Sequence, residues 1–262
     1  MLGRIAVRAV AALVVSLPAI LCPLPALAEN PEDAPIAASI APPAHASIAA
    51  EPFGAVAVSV FGGDISAKWN GVVADIRAER DILARCDDDA ELCPKAARVF
   101  ASMIAEGRAR AGRARIGVIN RAINLAIRPT SDLIQWGVPD RWSAPLATLT
   151  TGRGDCEDYA IAKYVALTEA GIDPDDVKLV ILRDLAAAED HAVVTVRLDG
   201  NWIVLDNRHL ALVEDVDVRR VQPLFVLDHG GVKQFAPSAF ADGGGTGTPA
   251  EGRAPAPGAV RF

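Results

Sequence analysis

The chain has 262 residues, and its 33 acidic residues outnumber its 26 lysines and arginines, for a net charge of −7 at pH 7. This balance excludes a protein that neutralises nucleic-acid phosphates along a groove, because such proteins carry clustered basic residues. About 185 residues remain between two low-complexity ends, which is enough for one domain with a sizeable core.

The first 28 residues have the organisation of a secretory signal peptide. Arg4 and Arg8 precede an apolar run over residues 9–21, and Ala26-Leu27-Ala28 follows. A basic start, a short apolar middle and a small-x-small end are typical of a cleaved export signal. An N-terminal membrane anchor is the alternative, which the prolines of this segment disfavour. We therefore predict a periplasmic protein from which residues 1–28 are removed.

Composition divides the rest of the chain into three parts. Residues 29–51 are rich in Ala and Pro and predict a mobile linker. Residues 237–262 are Gly, Ala and Pro with few large apolar residues, and predict a disordered tail because they cannot offset their chain entropy by burial. Residues 52–236 predict the folded domain.

The first half of this domain has the apolar periodicity of α-helices. Residues spaced by three and four predict helices over 65–85, from the first turn at Pro94 to residue 104, and over 116–127. Pro129 is expected to stop the third helix.

Cys86 and Cys93 flank a short acidic segment between the first two predicted helices. In an exported protein this pair predicts a disulfide. Two free thiols or a metal-binding pair are the alternatives, but no further Cys or His lies nearby to complete a zinc site. Because Cys22 lies in the signal peptide, Cys156 is left as the unpaired cysteine of the mature chain.

Cys156 stands at the start of a predicted helix, in the segment TGRGDCEDY (151–159). Asp155 suits the N-cap, and Glu157 and Asp158 fall in the first turn. The free N–H groups and the dipole of a helix start predict a lowered pKa for the thiol and an oxyanion donor in its backbone. The three neighbouring carboxylates oppose this by repelling a thiolate, so the segment requires a positive partner.

The second half of the domain predicts strands over 177–182, 191–198, 202–205 and 224–227. Helices followed by antiparallel strands predict an α+β fold, and no Gly-rich phosphate loop supports a Rossmann-type site.

Asp199-Gly200 predicts a two-residue type I′ hairpin. Its register places His191 opposite Arg208 and makes His191 and Asp206 diagonal neighbours on one face.

Cys156, His191 and Asp206 are therefore candidates for the nucleophile, base and orienting acid of covalent acyl transfer. The alternative is a buried structural cysteine and a polar residue at a strand end. Asn207 and Arg208 either support this triad or are surface residues.

These motifs resemble the bacterial transglutaminase-like cysteine peptidases. The resemblance rests on GRGDCEDYA (152–160), His191-Ala192-Val193 and Val204-Leu205-Asp206-Asn207, with Trp136-Gly137 and residues 140–145 upstream. It implies a papain-like/transglutaminase-like α+β fold, in which N-terminal helices pack on an antiparallel sheet. It also implies a catalytic triad formed by the three residues named above.

The best-understood branch of this family implies more. It implies a protein substrate of the class of large surface adhesins, cleaved in biofilm control, and a membrane receptor that sequesters the enzyme. It also implies calcium held by Asp155 and Glu157, although a calcium ion requires six to eight oxygens and hence further ligands. Two alternatives within the same fold are amide transfer to an amine and a non-catalytic calcium-responsive binding module.

Overall fold

The computed structural model describes residues 51–88 and 93–236, which belong to one compact unit. The predicted signal peptide, residues 29–50 of the predicted linker and the predicted tail lie outside the described residues. Among the helices described, none is both long and apolar enough to span a lipid bilayer.

Helices dominate the first half of the described chain and strands dominate the second half. The helices are α1 (Asp64–Asp88), α2 (Lys95–Arg108), α3 (Gly112–Ala126), α4 (Asp132–Trp136), α5 (Pro145–Thr151) and α6 (Cys156–Glu169). The strands are β1 (Ala57–Ser59), β2 (Arg128–Pro129), β3 (Arg153–Gly154), β4 (Val177–Asp184), β5 (Glu189–Leu198), β6 (Asn201–Leu205), β7 (Val213–Glu214), β8 (Val221–Asp228) and β9 (Gly231–Phe235).

The three predicted helices of the first half are confirmed, with two differences at their ends. Pro94 is the N-cap residue of α2 and does not lie in its first turn. The last helix, α3, ends at Ala126, before Pro129 is reached. The chain leaves the helix early because Arg128 and Pro129 form β2, which pairs with β3.

Seven strands form one sheet in the order β1-β9-β8-β4-β5-β6-β7, and every neighbouring pair is antiparallel. The predicted α+β fold is therefore confirmed. The helices α1, α2, α3 and α6 contribute to a core against one face, together with alternate residues of the central strands. The opposite face is also covered, by a second apolar cluster that Phe53 and Val218 complete. Because both faces are covered, β4 is buried without interruption from Val177 to Leu182.

The hairpin between β5 and β6 has the predicted turn and register. Asp199 and Gly200 both have positive φ, 53° and 87°, as a type I′ turn requires. Leu198 faces Asn201, and the same register continues to Val194 and Leu205. The ladder ends there, so the chain at Asp206 has already left the strand.

The helix that begins at Cys156 is buried on every side. All residues from Glu157 to Leu167 are buried, whereas the spacing of Ala160, Tyr164 and Leu167 predicts a single buried face. The difference arises because α6 lies between the sheet and the helices α2, α3 and α5. A helix surrounded in this way has no solvent-facing side, and its polar residues are carried into the interior.

Cys86 and Cys93 form a disulfide that joins the end of α1 to the start of α2, as predicted. Among the described residues, Cys156 is the free cysteine.

Candidate active site

Two glycines shape the backbone that leads to Cys156. Gly152 ends α5 in the left-handed conformation, with φ of 63°. Gly154 is paired into β3, where Thr130 N donates to its carbonyl oxygen at 2.9 Å. A Cβ atom at Gly154 would lie 2.6 Å from Oδ2 of Asp158, so this position requires a residue without a side chain.

His191 and Asp206 make the contact that the hairpin register predicts. His191 Nε2 lies 2.9 Å from Asp206 Oδ1, and the histidine is only 3% exposed. The other ring nitrogen, Nδ1, is buried and has no hydrogen-bond partner among the described residues. An imidazole bonded in this way through Nε2 has Nδ1 available to accept a proton.

Asp206 is held in its ionised form. Burial raises the pKa of this carboxyl, but the hydrogen bond and charge of His191 act against that effect. The backbone N–H of Arg208, which donates to Oδ1 at 2.9 Å, and the charge of Lys163 act in the same direction. Together they lower the pKa of Asp206 to about 2, so the carboxylate can accept hydrogen bonds throughout the physiological range.

Cys156 lies beside the strand that carries the histidine. The backbone N–H of Ala192, the residue after His191, is within hydrogen-bonding reach of the thiol and favours its ionised form. Burial and the charge of Glu157 act more strongly and raise the pKa of Cys156 well above its ordinary value, with Asp155 adding to the effect. The thiol donates to Glu157 Oε2 at 3.2 Å.

The predicted lowering of the thiol pKa is therefore wrong for the protein without a bound cation. Burial of the thiol among carboxylates outweighs the effect of the helix start, and the sequence does not reveal that burial.

Three carboxylates converge next to Cys156. One oxygen from each of Asp132, Asp155 and Glu157 lies within 4.8 Å of the other two. Each residue also has a buried oxygen without a hydrogen-bond partner among the described residues, namely Asp132 Oδ1, Asp155 Oδ1 and Glu157 Oε1. Asp155 occupies the N-cap position, but its side chain makes no capping hydrogen bond. The capping role predicted for this side chain is wrong, because the carboxylate turns towards the other two acids.

The electrostatics of this acidic cluster (Asp132, Asp155 and Glu157) favour a bound cation. Burial raises the pKa of all three groups, to about 6 for Asp155 and well above the ordinary value for Glu157. Unpaired, buried carboxylate oxygens are costly, and hard cations such as Ca²⁺ bind oxygen ligands of this kind. The residues therefore fit a divalent cation, with further oxygens required to complete a calcium site.

Asp132 and Asp158 differ in their relation to the acidic cluster. Asp132 joins the cluster from α4, and no spacing pattern in the sequence connects it with residue 155. Asp158 is not a member of the cluster and accepts a hydrogen bond from Ser143 N at 2.9 Å. Burial and the charge of Asp155 raise the pKa of Asp158 to about 8.

Arg208 supports Asp206, whereas Asn207 makes no such contact. The backbone N–H of Arg208 donates a hydrogen bond to Asp206. Its guanidinium group forms salt bridges with Asp184 and Glu189, on either side of the turn that joins β4 to β5. The side-chain oxygen of Asn207 is buried and has no hydrogen-bond partner among the described residues.

Comparison with known proteins identifies a family and solved structures to which this chain is similar. The family model described as bacterial transglutaminase-like cysteine proteinase matches residues 82–217. Calcium-bound LapG of Legionella pneumophila aligns with a TM-score of 0.50 and 18% identity, over 63% of this chain and 93% of that chain. The EGTA-treated form of LapG aligns with a TM-score of 0.49 and 18% identity, over 61% and 89% of the two chains. No curated protein sequence gives a significant match. At this identity, the calcium-bound form shows that the two chains share a fold.

Proposed function

Because this chain belongs to the bacterial transglutaminase-like cysteine proteinase family, it is a cysteine peptidase, and we propose that Cys156, His191 and Asp206 form its catalytic triad. We further propose that it is exported to the periplasm, binds calcium at the acidic cluster and processes a large cell-surface adhesin.

The triad proposal rests mainly on the hydrogen bonding of the two ring nitrogens of His191. His191 Nε2 contacts an ionised Asp206, while Nδ1 is buried and unpartnered among the described residues, on the strand next to the thiol. In a Cys–His–Asp peptidase the carboxylate fixes the tautomer, and the free nitrogen takes the proton of the thiol. A structural histidine buried to this extent would be expected to satisfy both ring nitrogens.

The positions of these groups support the following mechanism. The sulfur of Cys156 attacks the scissile carbonyl carbon as its proton passes to His191 Nδ1. Cys156 is the first residue of α6, so its backbone N–H has no acceptor within the helix, and we propose that it donates to the developing oxyanion. The proton on Nδ1 passes to the leaving amine, and water then hydrolyses the acyl-enzyme with His191 as base.

The proposed calcium ligands are Asp132, Asp155 and Glu157. A bound dication would supply the positive charge that ionisation of the neighbouring thiol requires. Glu157 is the acid in direct contact with the thiol, so its charge affects the pKa of Cys156 more strongly than that of any other neighbour.

Export is supported by the first 28 residues and by the Cys86–Cys93 disulfide, since disulfides persist in oxidising compartments. The adhesin substrate, and a membrane receptor that sequesters the enzyme, follow from the family resemblance of the catalytic motifs.

The proposal is tested with the mature chain, residues 29–262, and the N-terminal regions of large surface adhesins as substrates. We expect a single cleavage detected by mass spectrometry, which Cys156→Ser abolishes while leaving the circular dichroism spectrum unchanged. A primary amine added in excess distinguishes the two acyl acceptors: cleavage products with a free carboxyl group indicate hydrolysis, and amine adducts indicate transfer. Turnover by Cys156→Ser at the wild-type rate would remove this residue from the mechanism.

A further inference from the structure

Side chains of α3 donate hydrogen bonds to four backbone carbonyl oxygens of the loop that contains Asp206. The loop spans residues 206–212, between β6 and β7, and has no regular secondary structure. Its carbonyl oxygens accept hydrogen bonds from side chains of α3. The accepting residues are Asp206, His209, Leu210 and Leu212, and the donors are Asn124, Asn120 and Arg113.

Asn124 makes the contacts closest to the proposed triad. Its Nδ2 donates to the carbonyl oxygen of Asp206 at 3.0 Å and to that of His209 at 3.2 Å. At this point the β5–β6 ladder has ended, so the backbone of Asp206 has no sheet partner to orient it. Two hydrogen bonds from one amide set the direction in which the chain leaves β6, and hence the direction of the Asp206 side chain.

The other contacts secure the rest of the loop. Asn120 is fully buried and donates to Leu210 O at 3.3 Å. Arg113 donates to Leu212 O at 2.7 Å. Positions 113, 117, 120 and 124 follow one face of the helix. Gly117 lies between the donors, where an added Cβ would come within 3.7 Å of the Leu212 side chain, so the loop and helix pack closely.

We propose that Asn124 is a positioning residue of the peptidase, whose amide orients Asp206 and thereby fixes the tautomer of His191. This inference rests on the triad proposed above. A neutral imidazole carries one ring proton, and a carboxylate at Nε2 holds that proton on Nε2. Nδ1 is then left as the acceptor for the thiol proton. Loss of the Asn124 amide frees the Asp206 backbone, and the proton is no longer confined to one nitrogen.

The test compares Asn124→Leu with Asn120→Leu. Both substitutions remove an amide of similar size from the same face of α3, and both release the same loop. Because each removes hydrogen bonds to this loop, we expect both to lower the melting temperature, by about 2–6 °C. Only Asn124→Leu is expected to lower kcat, by about 10- to 100-fold with little change in KM, since a small misplacement of a catalytic group has an effect of this size. Asn124→Gln retains a donor on a longer side chain and is expected to recover part of the rate.

The readout that separates positioning from stability is the tautomer of His191. Long-range proton–nitrogen spectra of the imidazole side chains report which nitrogen carries the proton. We expect Nε2–H in the wild type and in Asn120→Leu, and a mixture of tautomers in Asn124→Leu. Equal kcat values and an unchanged tautomer in the two leucine variants would overturn the inference and leave Asn124 a purely structural residue.

Alkylation of Cys156 by iodoacetamide distinguishes failure of this inference from failure of the triad. If the triad is correct, His191→Ala changes the pH dependence of the alkylation rate. If His191→Ala has no effect, the triad and the inference are both overturned. If His191→Ala changes the profile but Asn124→Leu reproduces the wild-type profile and kcat, the triad stands and only the role of Asn124 is refuted.

Discussion

One oxygen of Asp206, Oδ1, accepts hydrogen bonds from both the imidazole of His191 and the backbone N–H of Arg208, each at 2.9 Å. This arrangement makes the carboxylate an acceptor only, and the acceptor selects the Nε2–H tautomer of the histidine. At the residue scale, the proposed mechanism therefore depends on the charge of this side chain as well as on its position.

Asp206→Asn tests that dependence. The amide has nearly the same shape, but its NH₂ group can donate to Nε2 and favour a proton on Nδ1. We expect kcat to fall by roughly 10²- to 10⁴-fold, while the melting temperature changes little. Asp217→Asn, an acid in the turn after β7, serves as the control and should retain full activity. An unchanged kcat in Asp206→Asn, together with an inactive His191→Ala, would place the third member of the triad elsewhere.

Asp132→Asn tests the acidic cluster. Removing one of three carboxylates should weaken Ca²⁺ binding by at least 10-fold in calorimetric titration, because the dication loses a charged oxygen ligand. Asp140→Asn is the matched control, since Asp140 is nearby but pairs with Lys68 instead of joining the cluster. Equal calcium affinities for the two variants and the wild type would exclude Asp132 as a ligand.

At the scale of elements, the start of α6 depends on how closely β3 approaches it. Gly154 lies so close to Asp158 that a Cβ atom added at the glycine would come within 2.7 Å of the aspartate side chain. We expect this close approach to limit how far the start of α6, and with it Cys156, can shift. Substitution at this glycine therefore tests whether the helix start can shift without loss of function.

Gly154→Ala should destabilise the protein by about 1–3 kcal/mol, because its Cβ would lie 2.6–2.7 Å from atoms of Asp158 and force the helix start to move. Gly71→Ala is the control, since this α1 glycine has nothing within 4 Å of an added Cβ and alanine favours helix. Urea unfolding of both variants measures the difference. A Gly154→Ala variant as stable as Gly71→Ala would mean that the helix start adapts without strain.

At the scale of the whole molecule, the buried acids make stability depend on pH and on cations. Asp155 and Asp158 have pKa values raised from 3.8 to about 6 and about 8, chiefly by burial. Between about pH 4 and pH 7 the folded protein therefore holds protons that the unfolded chain has released. Since stability falls with pH wherever the folded state binds more protons, the protein in chelator should become less stable across this range.

Lys163 acts in the opposite direction at higher pH. Burial lowers its pKa from 10.5 to about 7, so above pH 7 the unfolded chain holds a proton on this lysine that the folded protein has lost. This opposes the fall in stability that Asp158, with a pKa of about 8, still causes there. Thermal unfolding in EGTA should therefore show a fall in melting temperature from pH 5 to pH 7. Calcium, which binds the ionised acids, should raise the melting temperature more at pH 7 than at pH 5. A melting temperature in EGTA that rises steadily over this range would contradict the proposed effect of the buried acids.

Much of the architecture could be predicted from the sequence because the relevant forces act between near neighbours. The Asp199-Gly200 turn and the two-residue period of strands determine the β5–β6 register, which brings His191 and Asp206 together. Apolar spacing locates α1, α2 and α3, and the export context with two nearby cysteines indicates the disulfide.

Only the tertiary structure determines the burial of the site residues and the contacts between distant segments. Asp132 joins Asp155 and Glu157 because α4 contacts β3, the strand that leads into α6, and no local pattern encodes that approach. The pKa of Cys156 is raised because α6 is enclosed on all sides, and the charges of its neighbours act through a medium from which water is largely excluded. Helix propensity and dipole are local quantities that can be assessed from a sequence, whereas desolvation depends on every element that packs around the site.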